Sequence, residues 1–262
     1  MALKLNFKAF IFDIDGSLFR GDNPIKGAPE IIAMLRRRGK KILLLTNNST
    51  GTPEGYAEKL AKMGINVSQD EILTSSMATA DYMKKFKRGG VYVIGENALS
   101  SAISGEGFTI LNEAKAKEAG YVVCGLDRHV TYDKLAAASY AIQNGAKFIA
   151  ANADRNLPVE DGCLPGAGAI LSVIIKTTNV RPLIVGKPSK RIMKIALDRL
   201  GMTKDEVAIV GDALETDIKA GRNSKIYSIL VLTGVSKKED LAASRVKPDL
   251  VLGSIAGLSD LL

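Results

Sequence analysis

Short, uninterrupted apolar runs recur along the chain, each closed by polar residues or glycine. They fall at 9–12, 42–45, 207–210, 229–232 and 250–252. Runs of this length mark strands buried on both faces, as in a parallel sheet covered by helices on either side. Helical periodicity fills the intervals. Residues 28–38 place Ile31, Ile32 and Leu35 on one face, with Pro29 in the first turn and Gly39 just past the last. Residues 53–63 repeat the arrangement between Pro53 and Gly64. Residues 189–200 do so again, with Ile192, Ile195, Ala196 and Leu200 ahead of Gly201. Strand alternating with helix at this spacing predicts an α/β fold on a parallel sheet.

The middle of the chain has its own set. Strand-like runs at 91–94, 121–125 and 147–151 alternate with helical patterns at 96–103, 132–144 and 166–177. Residues 78–182 are therefore expected to build a separate sheet and core, inserted into a larger α/β domain made of 1–77 plus 183–262. No Ser/Gly-rich linker, repeat or low-complexity stretch marks the joins.

Composition narrows the class. The 262 residues are 46% hydrophobic and 24% charged, which excludes a collagen-like or largely disordered chain. No apolar run approaches the roughly 18 residues that span a bilayer. Residues 1–8 alternate apolar and polar positions and lack a secretory apolar core, so export is not expected. Cys124 and Cys163 are too few for a disulfide framework. Both are expected to be buried thiols, in keeping with a reducing cytoplasm. The net charge of +8 raises the question of a nucleic-acid partner. The one dense basic run, Arg36-Arg37-Arg38-Gly39-Lys40-Lys41, closes a helical pattern, where cations suit the helix dipole. With no Trp and 5% aromatic residues, base-stacking platforms are poorly supplied, so neither nucleic acid nor membrane is expected as a partner.

The chemistry gathers at strand ends. The first run closes in Asp13-Ile14-Asp15-Gly16-Ser17-Leu18, the second in Thr46-Asn47-Asn48-Ser49, and the 207–210 run in Gly211-Asp212, with Thr216 and Asp217 following. Lys187 lies in Gly186-Lys187-Pro188-Ser189. Each has an ordinary reading as a turn, an Asx-turn, a helix cap or an exposed lysine. Together they say more, because ligands of open parallel sheets bind beyond the carboxyl ends of strands. Asp13, Asp15 and Asp212 would share that edge. Carboxylates near a phosphate repel it by roughly 4 kcal/mol per charge pair at 4 Å and an effective dielectric of 20. A divalent cation relieves this, and hard oxygen ligands favour Mg²⁺. His129 is the sole histidine, which supports neither a zinc site nor a Ser-His-Asp hydrolase.

In this order, Asp13-Ile14-Asp15-Gly16-Ser17-Leu18, Thr46-Asn47-Asn48, Lys187 and Gly211-Asp212-x-x-x-Thr216-Asp217 resemble the four motifs of haloacid dehalogenase (HAD) superfamily phosphatases. Gly186-Lys187-Pro188, Asn152-x-Asp154 and Leu164-Pro165-Gly166-Ala167-Gly168-Ala169 resemble the NagD-like, p-nitrophenylphosphatase branch (subfamily IIA) in particular. Ser17 stands where Thr is common and keeps the hydroxyl. The resemblance implies a Rossmann-like core with an inserted α/β cap of the C2 type that closes over the site, and a mobile flap over 17–26. It implies a phosphatase of small phosphorylated metabolites, with caps that often pair across dimers. It casts Asp13 as the nucleophile and Asp15 as the general acid and base. Thr46 and the Asn47 N–H would bind the phosphoryl oxygens. Lys187 would neutralise charge. Mg²⁺ would be held by Asp13, the Asp15 carbonyl and Asp212, with Asp217 orienting Lys187 or the metal's water. Asp154 would face substrate from the cap, while Arg128 and His129 read as a polar loop. Other readings of the same residues are a phosphomutase or dehalogenase of this superfamily and a non-enzymatic phospho-receiver. A receiver needs only about 120 residues and no cap.

Overall fold

The fully buried Ala9–Phe12 strand occupies the middle of a six-stranded sheet. The computed structural model describes residues 4–159 and 162–262. The strand order is Leu250–Leu252, Tyr227–Val231, Val207–Gly211, Ala9–Phe12, Lys41–Thr46 and Ile72–Thr74. The first five pair in parallel, with Phe12 level with Val210 on one side and Leu44 on the other. The chain runs outward from Ala9–Phe12 to Ile72–Thr74, then returns to fill the opposite side. Strand order thus reverses between Ala9–Phe12 and Val207–Gly211, where a crevice opens beyond the carboxyl ends in folds of this kind.

Helices cover this sheet through the faces that periodicity marked. Ala28–Arg37 buries Ile31, Ile32 and Leu35 into a core with Phe10, Phe12, Leu44, Val210 and Ile229. Its last turn carries Arg36 and Arg37, and Arg36 donates to the Asn66 carbonyl at 3.0 Å. Lys190–Leu200 is capped by the Ser189 hydroxyl, which accepts from the Arg191 N–H, and buries Ile192, Met193, Ala196 and Leu200.

The chain divides into two compact units. One gathers residues up to Thr46, Pro53–Leu73 and Lys187–Leu262; the other joins Asn47–Thr52 to Thr74–Gly186. The second unit has a five-stranded parallel sheet ordered Leu183–Ile184, Lys147–Ala150, Tyr121–Cys124, Gly90–Ile94 and Thr109–Leu111. Tyr92, Ile94, Val122, Cys124, Phe148, Leu171 and Ile174 form its core. Both units are α/β, as the pattern predicts.

The structure adds elements the periodicity does not show: the strands Ile72–Thr74 and Thr109–Leu111, the helix Ser75–Met83, and an antiparallel ribbon of Asn156–Val159 with Gly162–Pro165. The ribbon corrects one expectation. Cys124 is buried, but Cys163 is exposed. Gly162–Pro165 is exposed at every position, so no second layer covers the thiol. Among the described residues, no helix is long and apolar enough to cross a membrane.

Candidate active site

The central strand continues past Phe12 with one more pairing, as the Asp13 N–H donates to the Val210 carbonyl at 2.8 Å. Asp13 is thereby fixed at the switch point. The chain then turns: Leu18 N–H donates to Ile14 O at 2.9 Å and Gly16 N–H to Phe19 O at 2.8 Å, while Ile14 and Leu18 are fully buried. Gly16 is at φ +85°, and a Cβ there would lie 2.5 Å from Asp212 Oδ2. Only glycine allows both this turn and this approach to the neighbouring strand's carboxylate. Beyond the turn, Phe19–Arg20 and Asn23–Pro24 pair as a short hairpin over the segment read as a flap.

Lys187 holds the cluster together. Its Nζ lies 2.5 Å from Asp13 Oδ1, 2.6 Å from Asp217 Oδ1 and 3.1 Å from the Leu45 carbonyl. These three acceptors match the three N–H bonds of an ammonium. Lysine, Asp13 and Asp217 are all buried. Burial works against the Lys187 charge, yet Asp13 and Asp217 outweigh it and hold the ammonium above its ordinary value. The bond to Leu45 O brings the lysine within one residue of Thr46, itself buried at the end of Lys41–Thr46.

Asp212 follows Val207–Gly211 and is also buried. Its Oδ2 accepts from the Val235 N–H at 2.6 Å. Asp217, on a π-helical turn over Leu214–Ile218, accepts from the Ala213 N–H at 3.1 Å through its second oxygen. Carboxylate oxygens of Asp13, Asp212 and Asp217 lie within 4.8 Å of one another. Burial, then Asp217, pushes the Asp212 carboxyl up to about 6. Burial likewise pushes Asp13 well above the carboxylate range, against the pull of Lys187. Three carboxylates face one ammonium, so the cluster is short of positive charge. Hard oxygen donors with that deficit fit a divalent cation such as Mg²⁺, and no imidazole or thiolate is among them.

Asp15 stands apart from that carboxylate cluster. Its side chain is exposed to solvent. Lost hydration still raises its carboxyl, opposed by the charges of Lys59 and Lys187 and by a hydrogen bond with Tyr56. Asn47 and Asp154 meet each other within the second unit, at 2.9 Å between Asn47 Nδ2 and Asp154 Oδ1. Arg128 makes a two-pronged bond to Glu96, at 2.7 Å on both arms. Four contributors went unread in the sequence. The Val235 N–H has no side-chain signal. Ser236 donates its N–H to Asp212 O and accepts from the Leu214 N–H. Tyr56 and Lys59 are three residues apart on the Pro53–Lys62 helix, where Tyr56 reads as a core position.

Residues 10–109 match the haloacid dehalogenase-like hydrolase family, and 184–258 match a second HAD-hydrolase-like family. The chain is 43% identical over 244 residues to an acid sugar phosphatase of Staphylococcus epidermidis, covering 93% of each protein. Among solved structures, it is similar to NagD of E. coli K-12, with a TM-score of 0.90 and 34% identity over 96% of this chain and 98% of that one. It is also similar to a p-nitrophenyl phosphatase from Archaeoglobus fulgidus, with a TM-score of 0.92 and 35% identity over 98% and 100%.

Proposed function

The chain belongs to the haloacid dehalogenase superfamily, as a phosphatase of its NagD-like branch, and from that premise we propose that it hydrolyses small phosphate monoesters with Mg²⁺ through an aspartyl-phosphate. The observation that carries this reading is Lys187 bonded to both Asp13 and Asp217 at the switch point of the sheet.

In the first step an Asp13 oxygen attacks phosphorus and the P–O bond to the leaving alkoxide breaks. Asp15 gives its proton to that oxygen, which departs as the alcohol. In the second step Asp15 takes a proton from water, whose oxygen attacks phosphorus. The bond to Asp13 breaks, and inorganic phosphate leaves. Lys187 balances negative charge on Asp13 and on the phosphoryl oxygens throughout, and Asp217 holds Lys187 in place. The Thr46 hydroxyl and Asn47 N–H take the phosphoryl oxygens. Mg²⁺, held by Asp13, the Asp15 carbonyl and Asp212, supplies further neutralisation of the transferring group when bound. Positioning and charge dominate phosphoryl transfer, and these residues supply both. The insertion expected over 78–182 serves as the cap, with the core in 1–77 and 183–262.

The test is phosphate release from p-nitrophenyl phosphate and a panel led by sugar phosphates, with and without Mg²⁺. Wild type should turn over only with the metal, and Asp13→Asn should lose at least about 10⁴-fold in kcat. An Asp13→Asn protein with wild-type turnover would overturn the assignment. A stable phosphoprotein that releases nothing would point to the receiver reading.

A further inference from the structure

Two sequence motifs have no part in the carboxylate cluster: Asn152-x-Asp154 and Leu164-Pro165-Gly166-Ala167-Gly168-Ala169. The structure joins them to Asn47. The Asn47 side-chain amide donates to Asp154 Oδ1 at 2.9 Å. The Asn47 carbonyl accepts from Asn152 Nδ2 at 2.7 Å and from the Ser75 hydroxyl at 2.6 Å. Asn47, Asn152 and Ser75 are all buried. Two donors saturate the carbonyl's two lone pairs, so the peptide after Asn47 cannot turn without breaking two buried hydrogen bonds.

Asp154 is itself held. Its N–H donates to Asn152 Oδ1 at 3.1 Å, and its carbonyl accepts from the Gly168 N–H at 2.8 Å. That second bond requires close approach. A Cβ on Gly168 would lie 2.6 Å from the Ala153 carbonyl oxygen and 2.9 Å from that of Asp154. A Cβ on Gly166 would overlap the Asp154 carbonyl. The glycines at the start of the Ala167–Thr178 helix thus let it seat the Asp154 backbone, which aims the carboxylate at Asn47.

We propose that Asp154 is a positioning residue: with Asn152 and Ser75 it fixes Asn47, so that the N–H following Thr46 is set for a phosphoryl oxygen before substrate arrives. This role replaces the substrate-facing one expected from the sequence. It rests on reading Asn47 as a phosphate-binding residue. A group that orders the phosphate-binding peptide acts on every ester alike, because the phosphoryl group is common to all. A group that touches substrate discriminates among leaving groups.

The experiment compares wild type, Asp154→Ala and Asp154→Asn on p-nitrophenyl phosphate, sugar phosphates and glycerol phosphate, and titrates inorganic phosphate calorimetrically in the presence of Mg²⁺. Asp154→Ala should lower kcat/KM by one common factor, about tenfold for loss of a charge-assisted hydrogen bond, and weaken phosphate binding by a similar factor. Asp154→Asn should recover part of both, since its amide oxygen still accepts from Asn47. Thermal denaturation checks that each variant is folded. The proposal is overturned if the factor depends on the leaving group while phosphate binding is unchanged, or if neither quantity moves. If wild type hydrolyses none of the esters, the phosphatase reading fails, and the phosphate titration still decides the role of Asp154.

Discussion

Lys187 stands 2.5 Å from Asp13 and 2.6 Å from Asp217, so one buried ammonium is shared by two carboxylates. Asp13 is the proposed nucleophile, and Asp217 has its other oxygen held by the Ala213 N–H. Asp217→Asn keeps the shape and an acceptor but removes a charge. We expect kcat to fall about 10–100-fold with KM less affected, as for other groups that orient a reacting residue. Lys187→Met leaves buried carboxylates without their cation. It should cost about 3–5 kcal/mol in urea denaturation and abolish phosphate release. A Lys187→Met protein as stable as wild type would show that the shared ion pair is not a stabilising contact.

The carboxylate cluster predicts a metal effect on folding that needs no substrate. A cation that binds only the folded protein adds about 2.7 kcal/mol at a hundred times its Kd. Mg²⁺ added to chelator-treated protein should therefore raise Tm, and Asp212→Asn should abolish most of that rise. Without metal, the variant should be no less stable than wild type, because it relieves the crowding of Asp13, Asp212 and Asp217. Equal Mg²⁺-induced shifts in the two proteins would remove Asp212 from the ligand set.

Away from the site, Glu206 gives a pH prediction. Bonds from Lys8, then from Thr203, hold its carboxyl down at about 2, against an ordinary 4.5. A carboxyl lowered on folding stabilises the folded state fully above its unfolded value. That contribution is lost as pH falls through the folded one. Wild type should therefore lose stability more steeply than Glu206→Gln between pH 4.5 and about 2. Parallel acid-unfolding curves would contradict this.

The two cysteines should separate cleanly. Cys163 is exposed, whereas Cys124 is buried and its thiol is pushed up by loss of hydration, with Asp127 adding to the rise. Thiolate is the reactive form. A thiol reagent should modify one cysteine in the native protein and both after unfolding, with peptide mapping placing the first at Cys163. Native labelling of Cys124 would show that its strand opens.

The central strands were legible because burial on both faces writes a continuous apolar run, as at Ala9–Phe12 and Val207–Gly211. The helix Ser75–Met83 was not, although Ser75, Ser76, Ala78, Thr79, Ala80 and Met83 are buried. Half of these inward residues are Ser or Thr, and the hydroxyls of Ser75, Ser76 and Thr79 donate to the carbonyls of Asn47, Ser49 and Ser75. Burial satisfied by hydrogen bonds leaves no apolar stripe to read. The acidic motifs were legible as types and spacing. The Asn47–Asp154 bond was not, because one sequence does not say which residues 107 positions apart meet.

The membership of Asn47–Thr52 in the second unit limits how this protein can be recombined. A graft that exchanges only 74–186 with a relative would set one protein's Asp154, Ser75 and Ser76 against another's Asn47 and Ser49. The exchangeable module is discontinuous: six residues from the first quarter of the chain travel with the large insertion, or the hydrogen bonds that hold them are drawn from mismatched parents.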